Sequence, residues 1–409
     1  MKSPKSFRLH IGIFGRRNVG KSSILNALTE QEVSIVSEIA GTTTDPVEKP
    51  MELLPLGPVL FIDTAGIDDV GALGEKRIRK TMAVFDRTDL GIIVSNSNDW
   101  GDFEEKILQE LNDRNIPAII VLNKSDIYSL RPCFSKSFSG QKIPFVETST
   151  VSGQGISELR QMILKTAPDD FINRSKILAD LVGAGEMAVL VVPIDKEAPK
   201  GRLILPQVQS IRDLLDGNAF CIVTREHQLR ETLSRLNKPP KLVVTDSQAF
   251  QQVAADTPPE IPLTGFSILF ARFQGDLNEM VRGAMAIDQL KPGDKILIAE
   301  ACTHHPIEDD IGTIKIPNWL TKYVGGKLQI DHLRGHDFPD TISGYKLIIH
   351  CGACMWNRRT MLSRIMKARQ ANVPITNYGL AIAYSLGVFE RALEPFPSAL
   401  EIFRNPINR

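Results

Sequence analysis

Short apolar runs alternate with amphipathic stretches along the first part of the chain. Leu9–Phe14, Val59–Ile62, Leu90–Val94, Ala118–Leu122 and Phe145–Val146 are too short for helices and carry β-branched and aromatic residues, the pattern of buried strands. Between them, Lys106–Arg114 sets Ile107, Leu108 and Leu111 on a single helical face. Strands that alternate with helices predict a mainly parallel sheet covered on both sides. Pro168-Asp169-Asp170 then reads as a boundary, which gives a first domain over residues 1–168.

The alternation repeats on a smaller scale over 169–262. Met187–Pro193, Ala219–Thr224 and Lys241–Thr245 are predicted strands, with helices at Val208–Leu215 and His227–Leu236. The run Thr257-Pro258-Pro259-Glu260-Ile261-Pro262 closes this segment. Over 263–409 the pattern predicts strands at Lys295–Ala299 and Lys346–His350, and helices near Asp276–Gln289 and Arg358–Ala371. Gln370–Phe389 carries no charge, yet Asn372, Pro374, Thr376, Asn377 and Gly379 interrupt it with groups that a bilayer would leave unsatisfied. A buried helix preceded by a loop is expected there, and no membrane span.

Charge and cysteine usage narrow the classes. The chain has 48 Lys+Arg and 48 Asp+Glu, so its formal net charge is zero, which excludes a broadly polybasic nucleic-acid binder. Five cysteines in 409 residues are too few for a disulfide framework. A reducing, cytoplasmic setting is expected, with clustered cysteines kept for metal or catalysis. Residues 1–10 are basic but are not followed by the apolar segment and small-residue cleavage site of a secretion signal.

Gly15-Arg16-Arg17-Asn18-Val19-Gly20-Lys21-Ser22 follows an apolar strand and precedes the helical pattern Ser23–Leu28. That is the strand–loop–helix context of a phosphate-binding loop, in which glycines let backbone N–H groups face the phosphates. Lys21 would reach the β- and γ-phosphates, and the Ser22 hydroxyl would ligate Mg²⁺. Asp63-Thr64-Ala65-Gly66 ends a second strand, where Asp63 can hold Mg²⁺ and the Gly66 N–H can sense the γ-phosphate. Asn123-Lys124-Ser125-Asp126 ends a third. The Asp126 carboxylate can accept from both N1–H and the 2-amino group of guanine, whereas adenine would leave it unpaired. GTP is therefore the expected nucleotide.

Taken together, GRRNVGKSS, GTTTD, DTAG, NKSD and TSTVSGQG resemble the Era/MnmE branch of translation-factor-type GTPases over roughly the first 165 residues. The resemblance implies that Thr43 is the switch threonine that ligates Mg²⁺, and that Ser149 and Thr150 support the guanine. Ile67 stands where Ras-like enzymes carry a water-orienting Gln. Relatives with Asn at the Asn18 position can bind K⁺ beside the phosphates, so slow hydrolysis stimulated by K⁺ is expected. Arg16 and Arg17 read equally well as phosphate contacts or as solvent-facing loop residues.

A second constellation lies in the last segment. Cys302-Thr303-His304 follows one predicted strand and His350-Cys351-Gly352-Ala353-Cys354 follows another. If the two strands are parallel, their soft ligands reach the same carboxyl edge of a sheet, where α/β proteins place ligands. Cys354 also precedes the helix Arg358–Ala371, whose N-terminus favours thiolates. Spacing alone leaves a tetrahedral zinc site and an iron–sulfur cluster equally open.

A GTPase head joined to a C-x-H … H-C-x-x-C tail resembles the HydF family, the maturation GTPases of FeFe-hydrogenases, along the whole chain. That resemblance implies an α/β chain of three domains: a P-loop GTPase domain (1–168), a small α/β dimerisation domain (169–262) and an α/β domain that binds a 4Fe–4S cluster (263–409). It implies Cys302, Cys351 and Cys354 as cluster ligands, with His304 and His350 as candidates either for the fourth position or for outer support of the ligands; Glu308, Asp309 or Asp310, shortly after Cys302, could also supply an oxygen ligand there. It also implies a homodimeric scaffold that serves the maturation radical enzymes and the immature hydrogenase. The rival reading is an Era/MnmE-like RNA-associated GTPase with a structural zinc tail; the last segment shows no GXXG loop, aromatic RNA-binding pattern or basic run to support it. Cys133 and Cys221 read as ordinary thiols, and His305, His332 and His336 as surface or loop residues. Gly183-Ala184-Gly185 precedes its strand, the wrong order for a dinucleotide turn.

Overall fold

The computed structural model describes residues 4–29, 46–54, 56–64, 82–96, 99–128, 138, 143–168, 171, 176–193, 203–301, 310–335, 338–339 and 341–405. The chain forms two compact units, 1–174 and 175–409.

In the first unit, β1 (Leu9–Phe14), β2 (Val47–Leu53), β3 (Gly57–Asp63), β4 (Leu90–Ser95), β5 (Ala118–Leu122) and β6 (Phe145–Glu147) form one sheet in the order β2-β3-β1-β4-β5-β6. Every pairing is parallel except that of β2 with β3. Alternate side chains feed two cores. Ile11, Ile13 and Phe61 pack with helices Lys21–Thr29 and Ile156–Thr166, while Leu60, Ile62 and Ile120 pack with helix Asp102–Asp113. The sequence pattern hides β2, because Glu48, Lys49, Pro50 and Glu52 interrupt its apolar residues. Pro50 pairs opposite Leu60 at the sheet edge, where proline's missing N–H is tolerated.

The second unit holds two all-parallel sheets. One has the order β10-β9-β7-β8, from β7 (Met187–Val191), β8 (Phe220–Thr224), β9 (Leu242–Thr245) and β10 (Leu263–Gly265). β10 carries this sheet beyond residue 262, across the boundary expected from the proline run. Hydrogen bonds then tie the residues around this run and β10 to later parts of the chain. Thr264 Oγ1 donates to Ala392 O at 3.0 Å, and Asn377 Nδ2 donates to Ser267 O at 2.8 Å. The Arg391 guanidinium donates to the carbonyls of Ala254, Thr257 and Pro258.

The other sheet has the order β12-β11-β13-β14, from β11 (Lys295–Glu300), β12 (Gln329–Arg334), β13 (Leu347–His350) and β14 (Ile375–Asn377). β11 and β13, the two strands read from the sequence, are adjacent and parallel, with Ala299 opposite His350. Helix Leu277–Met285 lies directly on β14, where a Cβ on Gly283 would sit 1.9 Å from Ile375 O. The uncharged stretch after Gln370 resolves into β14 and the buried helix Tyr378–Ser385. No helix among the described residues is long and apolar enough to cross a membrane.

Candidate functional site

β1 ends at Phe14, and residues 15–20 turn the chain into helix Lys21–Thr29. Gly15 adopts φ +146° and Gly20 φ +98°; a Cβ at either would meet Val94 O or Asn123 Nδ2 at 2.2 Å. Asn18 occupies the left-handed region at φ 63°, which asparagine tolerates better than most side chains. Lys21 is buried, and its Nζ donates to Gly15 O at 2.8 Å and Arg16 O at 2.7 Å. The loop therefore curls around an ammonium group at the mouth of a helix, the arrangement a phosphate chain requires. Arg16 is drawn aside: its guanidinium donates to both oxygens of the fully buried Glu104, at 2.8 and 3.1 Å. Arg17 is exposed.

At the first turn of the helix, Ser22 and Ser23 are open to solvent, and Ser22 Oγ donates to Asp63 Oδ2 at 2.7 Å. Asp63 is buried at the end of β3, and its Oδ1 has no hydrogen-bond partner among the described residues. Burial pushes its carboxyl above the usual range, against the opposing pull of the Ser22 hydrogen bond and of Lys21 and Lys49. A hydroxyl beside a buried carboxylate with an unused oxygen is a donor set that fits Mg²⁺. Thr43 and Gly66 lie outside the described residues.

The guanine end is braced by Asn123. Its Nδ2 donates to Val19 O at 3.0 Å, and its Oδ1 accepts from Thr148 Oγ1 at 3.2 Å. Asn123 thus joins the phosphate loop to the last loop of the site without facing solvent. Lys124 takes a left-handed φ of 61°, and Ser125 N donates to Thr148 O at 3.0 Å. That turn leaves Asp126 exposed at the rim, where a base can reach it. Ser149 is fully buried, with Ser152 N donating to its Oγ at 3.3 Å, while Thr150 is half-buried.

In the second unit, the chain beyond β11 and the chain beyond β13 leave the same sheet edge side by side. Cys351 N donates to Ala299 O at 2.8 Å, and Ala301 N donates to Cys351 Sγ at 3.1 Å. The sulfur of Cys351 therefore rests against the residue that precedes Cys302. Cys351 and Cys354 are both half-buried; between them Ala353 turns through a φ of 49°. Cys302, His304, Glu308 and Asp309 lie outside the described residues, and among the described ones no group of three His, Cys, Asp or Glu side chains converges. Two thiols close to a helix start and to the end of β11 fit a thiolate-bound metal.

His350, expected as a ligand or as outer support, is engaged within the protein on both sides of its ring. It is fully buried, its Nδ1 donates to Cys351 O at 2.8 Å, and its Nε2 accepts from Arg364 Nη1 at 2.9 Å. Both ring nitrogens are occupied within the protein. Burial, with the Arg364 charge adding to it, pushes the imidazole down to about 3, so the ring is neutral. Asp310 likewise turns one carboxylate oxygen inward, accepting from Thr313 N at 2.7 Å and Thr313 Oγ1 at 2.9 Å. His332 is exposed on the edge strand β12.

Glu300 and Tyr378 carry no local signal in the sequence. Glu300 accepts from Tyr378 Oη at 2.9 Å and from Arg334 Nε at 3.1 Å. Burial, then the nearby Cys351 and Glu300 charges, drives the Tyr378 phenol far above its ordinary value, so it stays a donor. A side chain on Gly312 would collide with both partners, at 2.3 Å.

Residues 10–124 match a family model described as a 50S ribosome-binding GTPase. Residues 177–275 match the hydrogen maturase F dimerization domain, and 278–395 the hydrogen maturase F tetramerization domain. GTPase Der of Wolinella succinogenes is 36% identical over 170 residues, which cover 38% of this chain and 35% of that protein. The tRNA modification GTPase MnmE of Nitrosomonas europaea is 35% identical over 161 residues, covering 39% of this chain and 35% of that one. The chain thus spans about a third of the length of these curated relatives. The Aquifex aeolicus Era structure bound to GDP·AlF4⁻ aligns with a TM-score of 0.35 at 20% identity, over 60% of this chain and 97% of that one.

The raised Asp63 carboxyl has a measurable consequence. A carboxylate whose folded pKa lies above its ordinary value costs the native state nothing in acid, and its full cost is reached once the pH exceeds the raised value. Asp63→Asn should therefore raise the melting temperature of nucleotide-free protein at neutral pH, and the gain should vanish in acid. The same change should weaken Mg²⁺-supported nucleotide affinity by about tenfold or more, on the order of 1.4 kcal/mol. Calorimetry across pH, with titration of a fluorescent guanine nucleotide with and without Mg²⁺, checks both. A lower melting temperature together with unchanged affinity would contradict the assignment.

Proposed function

We propose that this chain, which belongs to the hydrogen maturase F family, is a GTP-hydrolysing scaffold for iron–sulfur assembly. In this reading it holds a 4Fe–4S cluster and assembles or delivers a di-iron precursor to an FeFe-hydrogenase. One observation carries the proposal beyond nucleotide binding: β11 and β13 run side by side and bring Ala301 N onto Cys351 Sγ.

At the nucleotide end, Lys21 would exchange its bonds to the Gly15 and Arg16 carbonyls for the β- and γ-phosphates of GTP. Ser22, Asp63 and Thr43 would hold Mg²⁺, which when bound neutralises charge on the phosphate oxygens. Asp126 would select guanine, Asn123 would keep the two loops in register, and Gly66 would sense the γ-phosphate. Ile67 offers no polar group to orient water. We assign Asn18, already in the left-handed conformation, to a K⁺ whose charge would offset that of the transition state.

At the cysteine end, Cys302, Cys351 and Cys354 are the proposed cluster ligands. When bound, such a cluster supplies an iron with one exchangeable position. With both nitrogens of His350 engaged and Asp310 acting as a helix cap, that position falls to His304, Glu308, Asp309 or a solvent-derived ligand. The expected partners are the maturation radical enzymes and the immature hydrogenase, in the cytoplasm.

Self-association has support in the second unit. β8 is an edge strand whose Phe220 and Val223 are 51% and 45% exposed, an open apolar edge that a second copy would cover. We propose domain boundaries close to the matched ranges, with 177–275 for dimerisation and 278–395 for further assembly and the cluster. The RNA-associated alternative leaves those two matches without a role.

Anaerobic purification should yield brown protein with about four irons and four sulfides per chain. One zinc without sulfide would refute the cluster. GTP turnover should be faster in KCl than in NaCl at equal ionic strength, and equal rates would remove the K⁺ assignment.

A further inference from the structure

His350 has a partner on each ring nitrogen, and one of them is Arg364. A carbonyl oxygen can only accept, so the His350 nitrogen facing Cys351 O carries the proton. A guanidinium can only donate, so the nitrogen facing Arg364 carries the lone pair. One neutral tautomer satisfies both contacts, and no ring nitrogen remains for a metal.

Arg364 is itself held from several sides. It is 3% exposed, and its Nη2 donates to Gly335 O at 3.0 Å, just past β12. Its guanidinium carbon lies 4.2 Å from the Trp356 ring centroid and 4.6 Å from that of Phe338. A cation held by aromatic faces and by hydrogen bonds has little freedom to move, so it presents one N–H to His350 in a constant direction. The imidazole passes that constraint to the Cys351 carbonyl. The chain then enters the strained turn at Ala353 and reaches Cys354.

We infer that Arg364, acting through His350, is a positioning residue that fixes the backbone of the Cys351–Cys354 loop for metal capture, and that His350 holds this loop without ligating iron. The inference rests on the reading of this edge as the cluster site. Outer-shell partners of this kind typically govern metal retention by about 10- to 100-fold.

The test uses the full chain in five forms: native, His350→Ala, His350→Asn, Arg364→Met, and the double variant His350→Asn with Arg364→Met. Asparagine places an amide N–H where Nδ1–H stood, so it can serve the Cys351 carbonyl without help from Arg364. After anaerobic loading with ferrous iron and sulfide, iron loss to a chelator should accelerate about tenfold in His350→Ala and Arg364→Met. It should stay within about twofold of native in His350→Asn, and the double variant should match His350→Asn. If His350 were an iron ligand, His350→Asn would lose iron as fast as His350→Ala, and the inference would fail. It would also fail if Arg364→Met matched native, or if the double variant lost iron as Arg364→Met does.

A second arm needs no cluster. In iron-free protein, the alkylation rate of Cys351 by iodoacetamide should differ from native in His350→Ala and Arg364→Met and return toward native in His350→Asn. Equal rates in all forms would overturn the positioning role. A native chain that takes up no iron but shows this alkylation pattern would sink the cluster reading and leave the positioning pair standing.

Discussion

A parallel strand pair sends both of its carboxyl ends to the same edge of a sheet, and the proposed metal site of this chain depends on that constraint. The pairing of Ala299 with His350 sets the register, and the bond from Cys351 N to Ala299 O extends it one residue past the last strand position. Sulfur and backbone then meet at Ala301, although some fifty positions separate them in the sequence. A slip of one residue would turn Cys351 to the other face of the sheet and break the constellation. The apolar residues Ile296, Ile298, Leu347 and Ile349, all fully buried, oppose any such slip.

The nucleotide end relies on a different device. Its side chains are placed by backbone conformations that few residues tolerate: φ above zero at Gly15, Asn18, Gly20 and Lys124. The cost of those conformations is met by contacts that close around them. Asn123 reaches back to Val19, and Glu104 takes the guanidinium of Arg16. Arg16 also lies 5.2 Å from the Phe103 ring. The loop is consequently shaped for its ligand before any nucleotide arrives, as expected where electrostatic preorganisation does the catalytic work.

Much of this was legible in the sequence because it follows from local pattern. The apolar runs marked β1, β4, β5, β11 and β13, and motifs at strand ends marked the phosphate and guanine loops. Elements whose identity depends on their neighbours stayed hidden. β2 reads as polar and proline-broken, β12 as mixed edge residues, and β10 and β14 are too short to carry a period. β10 lies past the proline run for the same reason: only its pairing with β9 shows that the sheet extends to it. At the candidate sites, residue type singled out cysteines and carboxylates. It could not tell that His350 spends both nitrogens internally, or that Tyr378, Glu300 and Arg364 build the walls, because those roles exist only across elements far apart in the chain.

The central claim is that thiolates from the ends of two neighbouring strands share one polynuclear iron centre. Mössbauer spectroscopy of the full chain, loaded anaerobically with ⁵⁷Fe and sulfide, addresses it directly. The account requires a spin-coupled four-iron signature in the native chain and its loss when either Cys302 or Cys351 is replaced by serine. Iron that remains mononuclear in the native protein, or a cluster signature indifferent to one of those two replacements, would contradict it.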